Sequence, residues 1–167
     1  MKIGIVSDTH LSAGRKLPAK LLEGLQGADA IVHAGDWVTM DAYEQLSRIA
    51  PVHGVAGNCD GEELIRRFGM RATIEIGGVR IGIVHGHEGP GRSTPERARL
   101  AFRDTSPDLI VFGHSHIPLQ EVKDGIMLFN PGSPTDKRRQ PSYSFGIVTI
   151  EDGKDGKFTA EHCFYGN

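Results

Sequence analysis

Short apolar segments rich in β-branched residues recur along the chain, and most of them end in glycine, a carboxylate, an amide or a histidine. Continuous apolar segments of this kind are typical of strands buried on both faces. TIEIGGVRIGIVHG, residues 73–86, predicts two strands joined at Gly77 and Gly78, because paired glycines favour a tight hairpin turn. The other predicted strands of the first two-thirds are KIGIVS (2–7), AIVHAGD (30–36), VHGVAGN (52–58) and DLIVFG (108–113).

Segments with helical spacing of apolar residues separate these strands. Pro18 stands early in its segment, where a first helical turn tolerates proline. Asp41 is a predicted N-cap with Glu44 three residues later, which is a capping-box pattern. Thr94 is a predicted cap with Pro95 at the first helical position. The segments that carry the predicted helices are residues 17–26, 41–49, 62–68 and 93–102, and the first helical residue of the last one is Pro95.

The last third of the chain, from residue 117 onward, carries short strand patterns separated by Gly and Asp turns and no helical pattern. Alternating strands and helices favour a parallel sheet, whereas consecutive strands favour antiparallel pairing. The sequence therefore predicts an α/β protein: a layered α/β/β/α sandwich of two mixed β-sheets. A length of 167 residues predicts a single domain over 1–167.

Composition gives no indication of a nucleic-acid or membrane partner. With 19 Lys+Arg against 21 Asp+Glu and a net charge of -2, nothing in the sequence suggests a large basic surface for nucleic acid or an anionic membrane. The apolar stretch after Lys2 is far too short for a signal peptide or a membrane span. Two cysteines, Cys59 and Cys163, fit a reducing compartment. These features predict a cytoplasmic protein, and nothing in the sequence predicts an oligomeric state.

Candidate metal ligands follow five of the predicted strands. In α/β sheets, ligands gather beyond the carboxyl ends of the strands, so these side chains are expected to converge. Oxygen and imidazole donors without paired thiolates suit Mn, Fe, Ni or Zn rather than a cysteine-type structural site. The five segments are Asp8-Thr9-His10, Gly35-Asp36, Gly57-Asn58, His85-Gly86-His87 and Gly113-His114-Ser115-His116.

This order of motifs, with D-x-H followed by GD, GN, HGH and GHSH, resembles the calcineurin-like metallophosphoesterases, and most closely their YfcE-like phosphodiesterase group. The resemblance extends over nearly the whole chain and includes NPGS at 130–133. It implies two divalent metal ions, with Mn expected and Ni, Fe or Zn possible. It also implies a metal-dependent phosphodiesterase, in which a metal-bridging hydroxide attacks the phosphorus of a small-molecule phosphate ester. The implied ligands are Asp8, His10 and His116 for one metal, Asn58, His85 and His114 for the other, and Asp36 as the bridge.

Two alternatives remain beside this interpretation. A phosphomonoesterase or nucleotide pyrophosphatase would use the same ligands. A non-catalytic protein-binding scaffold, like the retromer subunit that keeps this fold, would be expected to carry degraded ligands. All seven ligand positions of this chain hold competent donors, which disfavours the scaffold.

The GNCDG stretch, residues 57–61, departs from the family pattern GNH[DE]. Cys59 replaces a histidine that, in the family, contacts phosphate and protonates the leaving group. A thiol near metal charge should have a lowered pKa, and a thiolate is a poor general acid. We therefore expect slow turnover, best with diesters and good leaving groups. Asn58 takes the ligand position, and Asp60 is expected to support the ligands as a hydrogen-bond acceptor.

Other polar residues near these motifs have open roles. His87 is expected to contact substrate or to support the ligands. Asn130 to Ser133 either borders the site or forms a simple loop. The basic run from Lys137 to Arg139 is a solvated loop or binds the non-reacting part of an anionic substrate. His33, inside an apolar segment, is predicted to be packed and hydrogen-bonded.

Overall fold

The computed structural model describes residues 1–153 and 155–166, so Lys154 and Asn167 lie outside the described residues. The helices are α1 (Ala19–Leu25), α2 (Asp41–Ser47), α3 (Glu62–Phe68) and α4 (Thr94–Ala101). The strands of the first half are β1 (Lys2–Val6), β2 (Ala30–His33), β3 (Val52–Gly54), β4 (Arg71–Ile76) and β5 (Val79–Val84). The later strands are β6 (Leu109–Val111), β7 (Leu119–Lys123), β8 (Ile126–Asn130), β9 (Tyr143–Ile150) and β10 (Phe158–Tyr165).

The strands form two five-stranded mixed sheets. The first sheet has the order β10-β9-β1-β2-β3, with β1, β2 and β3 parallel and β9 and β10 antiparallel to their neighbours. The second has the order β4-β5-β6-β8-β7, with β5, β6 and β8 parallel and β4 and β7 antiparallel. The predicted fold class is confirmed.

Successive side chains of a strand point to opposite faces of its sheet, and the apolar ones form three layers. Ile3 and Ile5 point between the sheets and meet Ile81 and Val111 of the second sheet. On the outer face of the first sheet, Ile31 packs with residues of α1, α2 and α3. On the outer face of the second sheet, α4 packs with a smaller cluster around Phe102, Ile110 and Phe112. The chain therefore has the predicted α/β/β/α order of layers.

Two predicted helix caps are wrong. Met40, not Asp41, is the N-cap of α2, and Asp41 instead accepts a hydrogen bond from the backbone N–H of Gly14 at 2.7 Å. A carboxylate that holds a neighbouring loop is not free to cap its own helix. In α4 the cap is Ser93, whose hydroxyl accepts from the N–H of Glu96 at 3.2 Å, so the helix begins one residue earlier than predicted.

The pattern of consecutive strands predicts antiparallel pairing for the last third of the chain. The structure departs from this prediction at one strand pair. β8 inserts beside β6 in parallel, with Leu109, Ile110 and Val111 opposite Met127, Leu128 and Phe129. β8 is apolar enough to be buried in a sheet interior, whereas its hairpin partner β7 is largely exposed and forms the edge. In the described part of the chain, no helix is long and apolar enough to cross a bilayer.

Candidate metal centre

The carboxyl ends of parallel strands from both sheets meet at one edge of the sandwich. Asp8 follows β1, and its N–H donates to Gly35 O, after β2, at 2.9 Å. His85 follows β5 of the other sheet, and its Nδ1 lies 2.8 Å from Ala34 O. The N–H of His114, after β6, donates to Asp8 Oδ2 at 3.0 Å. Both sheets therefore contribute to one site, and the hydrogen bonds between their ends fix its shape.

The structure brings the predicted ligand atoms of Asp8, His10, Asp36, His85 and His116 into one cluster. Asp36 Oδ2 lies 3.5 Å from His10 Nε2 and 3.2 Å from His85 Nε2, between the two imidazoles. His116 Nε2 lies 3.3 Å from His10 Nε2 and 3.4 Å from Asp8 Oδ1. Three sets of side chains among the described residues have metal-ligand spacing: Asp8-His10-His116, Asp8-Asp36-His85 and His10-Asp36-Cys59.

Asn58 and His114 complete the predicted set at its exposed side. Asn58 Oδ1 lies 3.2 Å from His114 Nδ1, and the His114 ring is 5.2 Å from that of His85. All seven residues predicted from the motifs are thus joined by short contacts, although they span 109 positions of the sequence from Asp8 to His116.

Two buried polar atoms in the cluster have no hydrogen-bond partner among the described residues. They are Asp8 Oδ1 and His85 Nε2, both on residues with no exposed surface. An unsatisfied buried carboxylate oxygen or imidazole nitrogen is costly, so such atoms call for an explanation. A cation between them would satisfy both atoms, and the donor set therefore fits metal binding.

The electrostatics of the cluster favour positive charge. Burial by itself raises the pKa of Asp8, but contacts with His10 and His116 outweigh it and hold that pKa far below its ordinary value. Burial lowers the pKa of His85, yet its contacts with Asp36 and Asp8 raise it overall. Carboxylates that stabilise protonated imidazoles so strongly will also attract metal cations.

Five of the predicted ligands have left-handed backbone conformations. The φ angles are 56° at Asp8, 42° at His10, 62° at Asp36, 71° at His114 and 61° at His116. Non-glycine residues rarely adopt this region, and strained backbone persists only where surrounding structure enforces it. The sharp turns aim successive side chains of D-x-H and H-x-H at the same cluster.

Asp60 organises the loops that carry Asp36 and Asn58. Its carboxylate accepts hydrogen bonds from the N–H groups of Asp36 at 2.9 Å, Val38 at 2.8 Å and Gly57 at 2.7 Å. Gly57 is required at this approach, because a Cβ atom there would overlap Asp36 Oδ1. Asp60 is therefore a hydrogen-bond acceptor, as expected, and its donors are backbone N–H groups. These hydrogen bonds join the loop after β2 to the loop after β3.

Cys59 lies at the rim of the cluster. Its N–H donates to Asp36 Oδ1 at 2.9 Å, while its side chain is exposed to solvent. Its sulfur lies within 4.8 Å of a ring nitrogen of His10 and a carboxylate oxygen of Asp36. Burial and the Asp36 carboxylate raise the pKa of the thiol. Any lowering of that pKa would therefore have to come from bound cations.

Residues of the segment after β8 support the ligand loops, and of these only Ser133, in NPGS, has a signal in the sequence. The Ser133 hydroxyl donates to Asp8 O at 2.7 Å, and the Thr135 hydroxyl donates to Thr9 O at 2.6 Å. His116 Nδ1 lies 2.6 Å from Asp136 O. The segment after β8 therefore borders the site, which is one of the two alternatives that the sequence leaves open for NPGS.

His33 is buried and hydrogen-bonded, as predicted. Its Nδ1 accepts from the N–H of Gly35 at 3.1 Å, its Nε2 lies 3.0 Å from Thr9 Oγ1, and its ring stacks on Trp37 with centroids 3.6 Å apart. Because Nδ1 is an acceptor, Nε2 carries the proton of the neutral ring and donates to Thr9. Burial lowers the pKa of His33 to about 3, which keeps the ring neutral.

The residues with open roles surround the cluster. The His87 ring is 5.3 Å from His85 and 6.2 Å from His114, so it lies close to the ligands on the second sheet's side. Arg138 is exposed, and its Nη1 is 3.5 Å from His114 O. The basic run is thus beside the site and open to solvent.

Comparisons with known proteins find metallophosphoesterase relatives and solved structures of the same fold. A probable metallophosphoesterase of Methanocaldococcus jannaschii is 33% identical over 158 residues, which cover 94% of this chain and 80% of the relative. Phosphodiesterase YfcE of Escherichia coli is 29% identical, with 89% of this chain and 87% of the relative covered. Among solved structures, Vps29 of Entamoeba histolytica complexed with Zn²⁺ has a TM-score of 0.77 at 23% identity, covering 98% of this chain and 99% of that one.

Residues 1–153 match the calcineurin-like phosphoesterase superfamily domain. This range contains all seven candidate metal ligands. Members of this family depend on metals, in keeping with the unsatisfied donors of Asp8 and His85. The chain therefore belongs to the calcineurin-like phosphoesterase superfamily.

Proposed function

We propose that this protein is a two-metal phosphodiesterase that hydrolyses small-molecule phosphate esters by attack of a water-derived hydroxide on phosphorus. The observation that carries the proposal is the position of Asp36 Oδ2, between the imidazoles of His10 and His85, beside the unsatisfied Asp8 Oδ1. One carboxylate placed between two groups of donors is the arrangement expected of a bridging ligand.

The residues fit two cations that share Asp36. Asp8, His10 and His116 would hold one cation, and Asn58, His85 and His114 the other. A pair of divalent cations lowers the pKa of water and neutralises charge on phosphate oxygens. The oxygen and imidazole donors suit Mn²⁺, with Ni²⁺, Fe²⁺ and Zn²⁺ as alternatives.

Hydrogen bonds fix the orientation of two ligand imidazoles. His85 Nδ1 donates to Ala34 O, and His116 Nδ1 donates to Asp136 O, since a carbonyl oxygen only accepts. Each neutral ring then presents an unprotonated Nε2 to the cluster. This is the tautomer that metal binding requires, and the two carbonyls hold it in place.

The preference for diesters rests on Cys59. The thiol offers no imidazolium to pair with a dianionic monoester and no efficient proton donor for a poor leaving group. A diester carries one negative charge less, so it needs less neutralisation. A phosphomonoesterase or nucleotide pyrophosphatase would use the same metal ligands and is the second candidate function.

The metal dependence of the activity is the first test. Chelator-treated protein reloaded with Mn²⁺ is expected to hydrolyse bis(p-nitrophenyl) phosphate faster than p-nitrophenyl phosphate, with two metal ions per chain by elemental analysis. The same protein left in chelator is the control and should be inactive. Absence of hydrolysis of both esters by the reloaded protein would contradict the proposal.

The scaffold alternative has one observation in its favour, the close likeness of the fold to Vps29. That likeness, at 23% identity, concerns the fold alone. Intact donors at all seven ligand positions support catalysis instead. We also propose that the enzyme acts in the cytoplasm, which is supported by the two cysteines, both of which are unpaired.

Replacing Cys59 with histidine tests the role of this position. Cys59→His is expected to raise kcat/KM for phosphomonoesters at least about tenfold, because a positioned general acid typically contributes about 10²- to 10⁴-fold. The gain should be larger for phenyl phosphate than for p-nitrophenyl phosphate, since the poorer leaving group needs the proton more. Steady-state kinetics on both esters provides the measurement.

Cys163→Ser is the matched control, because Cys163 lies in β10 and is not among the ligand sets of the described residues. It should leave the ratio of monoester to diester hydrolysis unchanged. If Cys59→His altered neither activity, the explanation of diester preference through Cys59 would be wrong.

A further inference from the structure

A groove beside α1 lies outside the ligand cluster. Its volume is about 400 Å³, within the range of small-molecule sites. No Asp or Glu is among the described residues that line it, and none of the seven candidate metal ligands lines it. We call it the tyrosine groove and define it by Lys16, Pro18, Lys20, Thr135, Tyr143 and Tyr165.

The aromatic wall of the tyrosine groove is preformed. Tyr143 and Tyr165 are direct partners in the β9–β10 ladder, and their rings stack with centroids 5.6 Å apart and planes 28° apart. The Tyr165 hydroxyl donates to Pro134 O at 2.5 Å, which fixes that ring. Rigid tyrosines provide apolar contact area at little conformational cost, so this wall suits a flat aromatic ligand.

Another part of the lining, which we call the cationic wall, carries the two lysines Lys16 and Lys20. Lys16 precedes α1 and Lys20 lies in its first turn, and both are exposed. A third ammonium group, Lys137 Nζ, is 5.8 Å from the Tyr143 ring centroid. The whole chain has a net charge of -2, so the two lining lysines and the nearby Lys137, with no Asp or Glu among the described lining residues, are a local excess of positive charge. An anionic group is the complement of this wall.

We propose that the tyrosine groove is a binding site for a mononucleotide, whose base stacks on Tyr143 and whose phosphate pairs with Lys16 and Lys20. A nucleotide combines the flat aromatic and anionic parts that the two walls call for. A nucleoside would leave the lysines unused, and inorganic phosphate would leave the aromatic wall unused. The site is separate from the ligand cluster, so binding requires no metal.

The groove is nevertheless connected to the metal-ligand loop. Thr135 lines the groove, and its hydroxyl donates to Thr9 O and lies 3.2 Å from Asp8 O. A nucleotide in contact with Thr135 would therefore contact a residue that is hydrogen-bonded to the backbone of the Asp8–His10 segment.

The test is titration of metal-free protein with AMP, adenosine and inorganic phosphate by isothermal calorimetry. AMP should bind, and adenosine and phosphate should each bind at least about fivefold more weakly. Tyr143→Leu should weaken AMP binding at least about fivefold, because stacking of a base on an aromatic side chain usually contributes that much or more. Tyr143→Phe keeps the ring and should bind like the wild type. The double variant Lys16→Gln/Lys20→Gln should remove most of the salt dependence of binding.

Matched controls separate this site from the rest of the surface and from the metal centre. Phe164→Leu removes an exposed aromatic side chain of β10 that does not line the groove, and Lys123→Gln removes an exposed lysine of β7. Neither should change AMP affinity, and neither should Asp36→Asn. Circular dichroism and thermal melts check that each variant folds.

Three results would overturn the proposal. One is the absence of AMP binding at millimolar concentration, and another is AMP binding that Tyr143→Leu leaves intact. The third is AMP binding that Asp36→Asn abolishes, which would place the nucleotide in the metal centre. Since these titrations use metal-free protein, their failure is distinct from a failure of the phosphodiesterase proposal.

Discussion

Asp36→Asn is expected to lower phosphodiesterase activity by more than about a hundredfold and to reduce the metal content of the purified protein. Loss of a group that merely supports a ligand commonly costs about 10- to 100-fold, and Asp36 is the proposed bridge itself. The amide keeps the size of the side chain and an oxygen for the N–H of Cys59, but it removes the charge that two cations would share. Activity assays and elemental analysis measure the two effects.

Asp104→Asn is the matched control for this substitution. Asp104 pairs with Arg71 on the surface, and its side chain is 65% exposed. The same change of carboxylate to amide should leave both activity and metal content at wild-type values. Asp36→Asn protein with unaltered activity and two bound metals would sink the bridging assignment.

Asp60→Ala is expected to lower the free energy of unfolding of the metal-free protein by about 3 kcal/mol or more. It leaves the buried N–H groups of Asp36 and Gly57 and the partly buried N–H of Val38 without their acceptor, and an unsatisfied buried donor costs about 1–3 kcal/mol. For a chain of this size, 3 kcal/mol corresponds to a decrease in Tm of about 6–12 °C. Urea denaturation in the presence of a chelator provides the measurement.

Asp60→Asn provides an internal scale for this prediction. Its remaining oxygen can still accept from Asp36 and Gly57, which share Oδ2 of the aspartate, while its amide group faces the N–H of Val38. We expect a stability between those of the wild type and Asp60→Ala. Equal stability of the alanine variant and the wild type would show that Asp60 does not hold these loops.

Much of the fold could be predicted because local patterns and tertiary packing agree. The apolar strand residues Ile3 and Ile5 have no exposed surface, and Gly77 and Gly78 both have the positive φ angles of a tight hairpin turn. The caps of α2 and α4 were less predictable. Asp41 and Thr94 are acceptable caps by residue type, but Asp41 is drawn to Gly14, a partner 27 positions away that no local pattern reveals.

The candidate site was predictable in its residues but not in its supports. Each ligand follows a strand whose apolar pattern is visible, so its position at a strand end could be predicted. Thr135 and Asp136 carry no comparable pattern, because they support Thr9 and His116 from a distant segment through one hydroxyl and one backbone carbonyl. Almost any residue could supply the carbonyl, so the residue type of Asp136 gives no signal.

The sequence by itself determined which side chains are available and which strands end in them, since both depend on local order along the chain. The same holds for residue 59 of GNCDG, where the sequence alone provides a thiol in place of an imidazole. Only the tertiary structure decided that Asp36 lies between His10 and His85, and that Asp60 joins the β2 and β3 loops. The tyrosine groove likewise arises from segments far apart in the chain. Distances between such segments depend on how two sheets pack, and packing is a property of the whole chain rather than of any one motif.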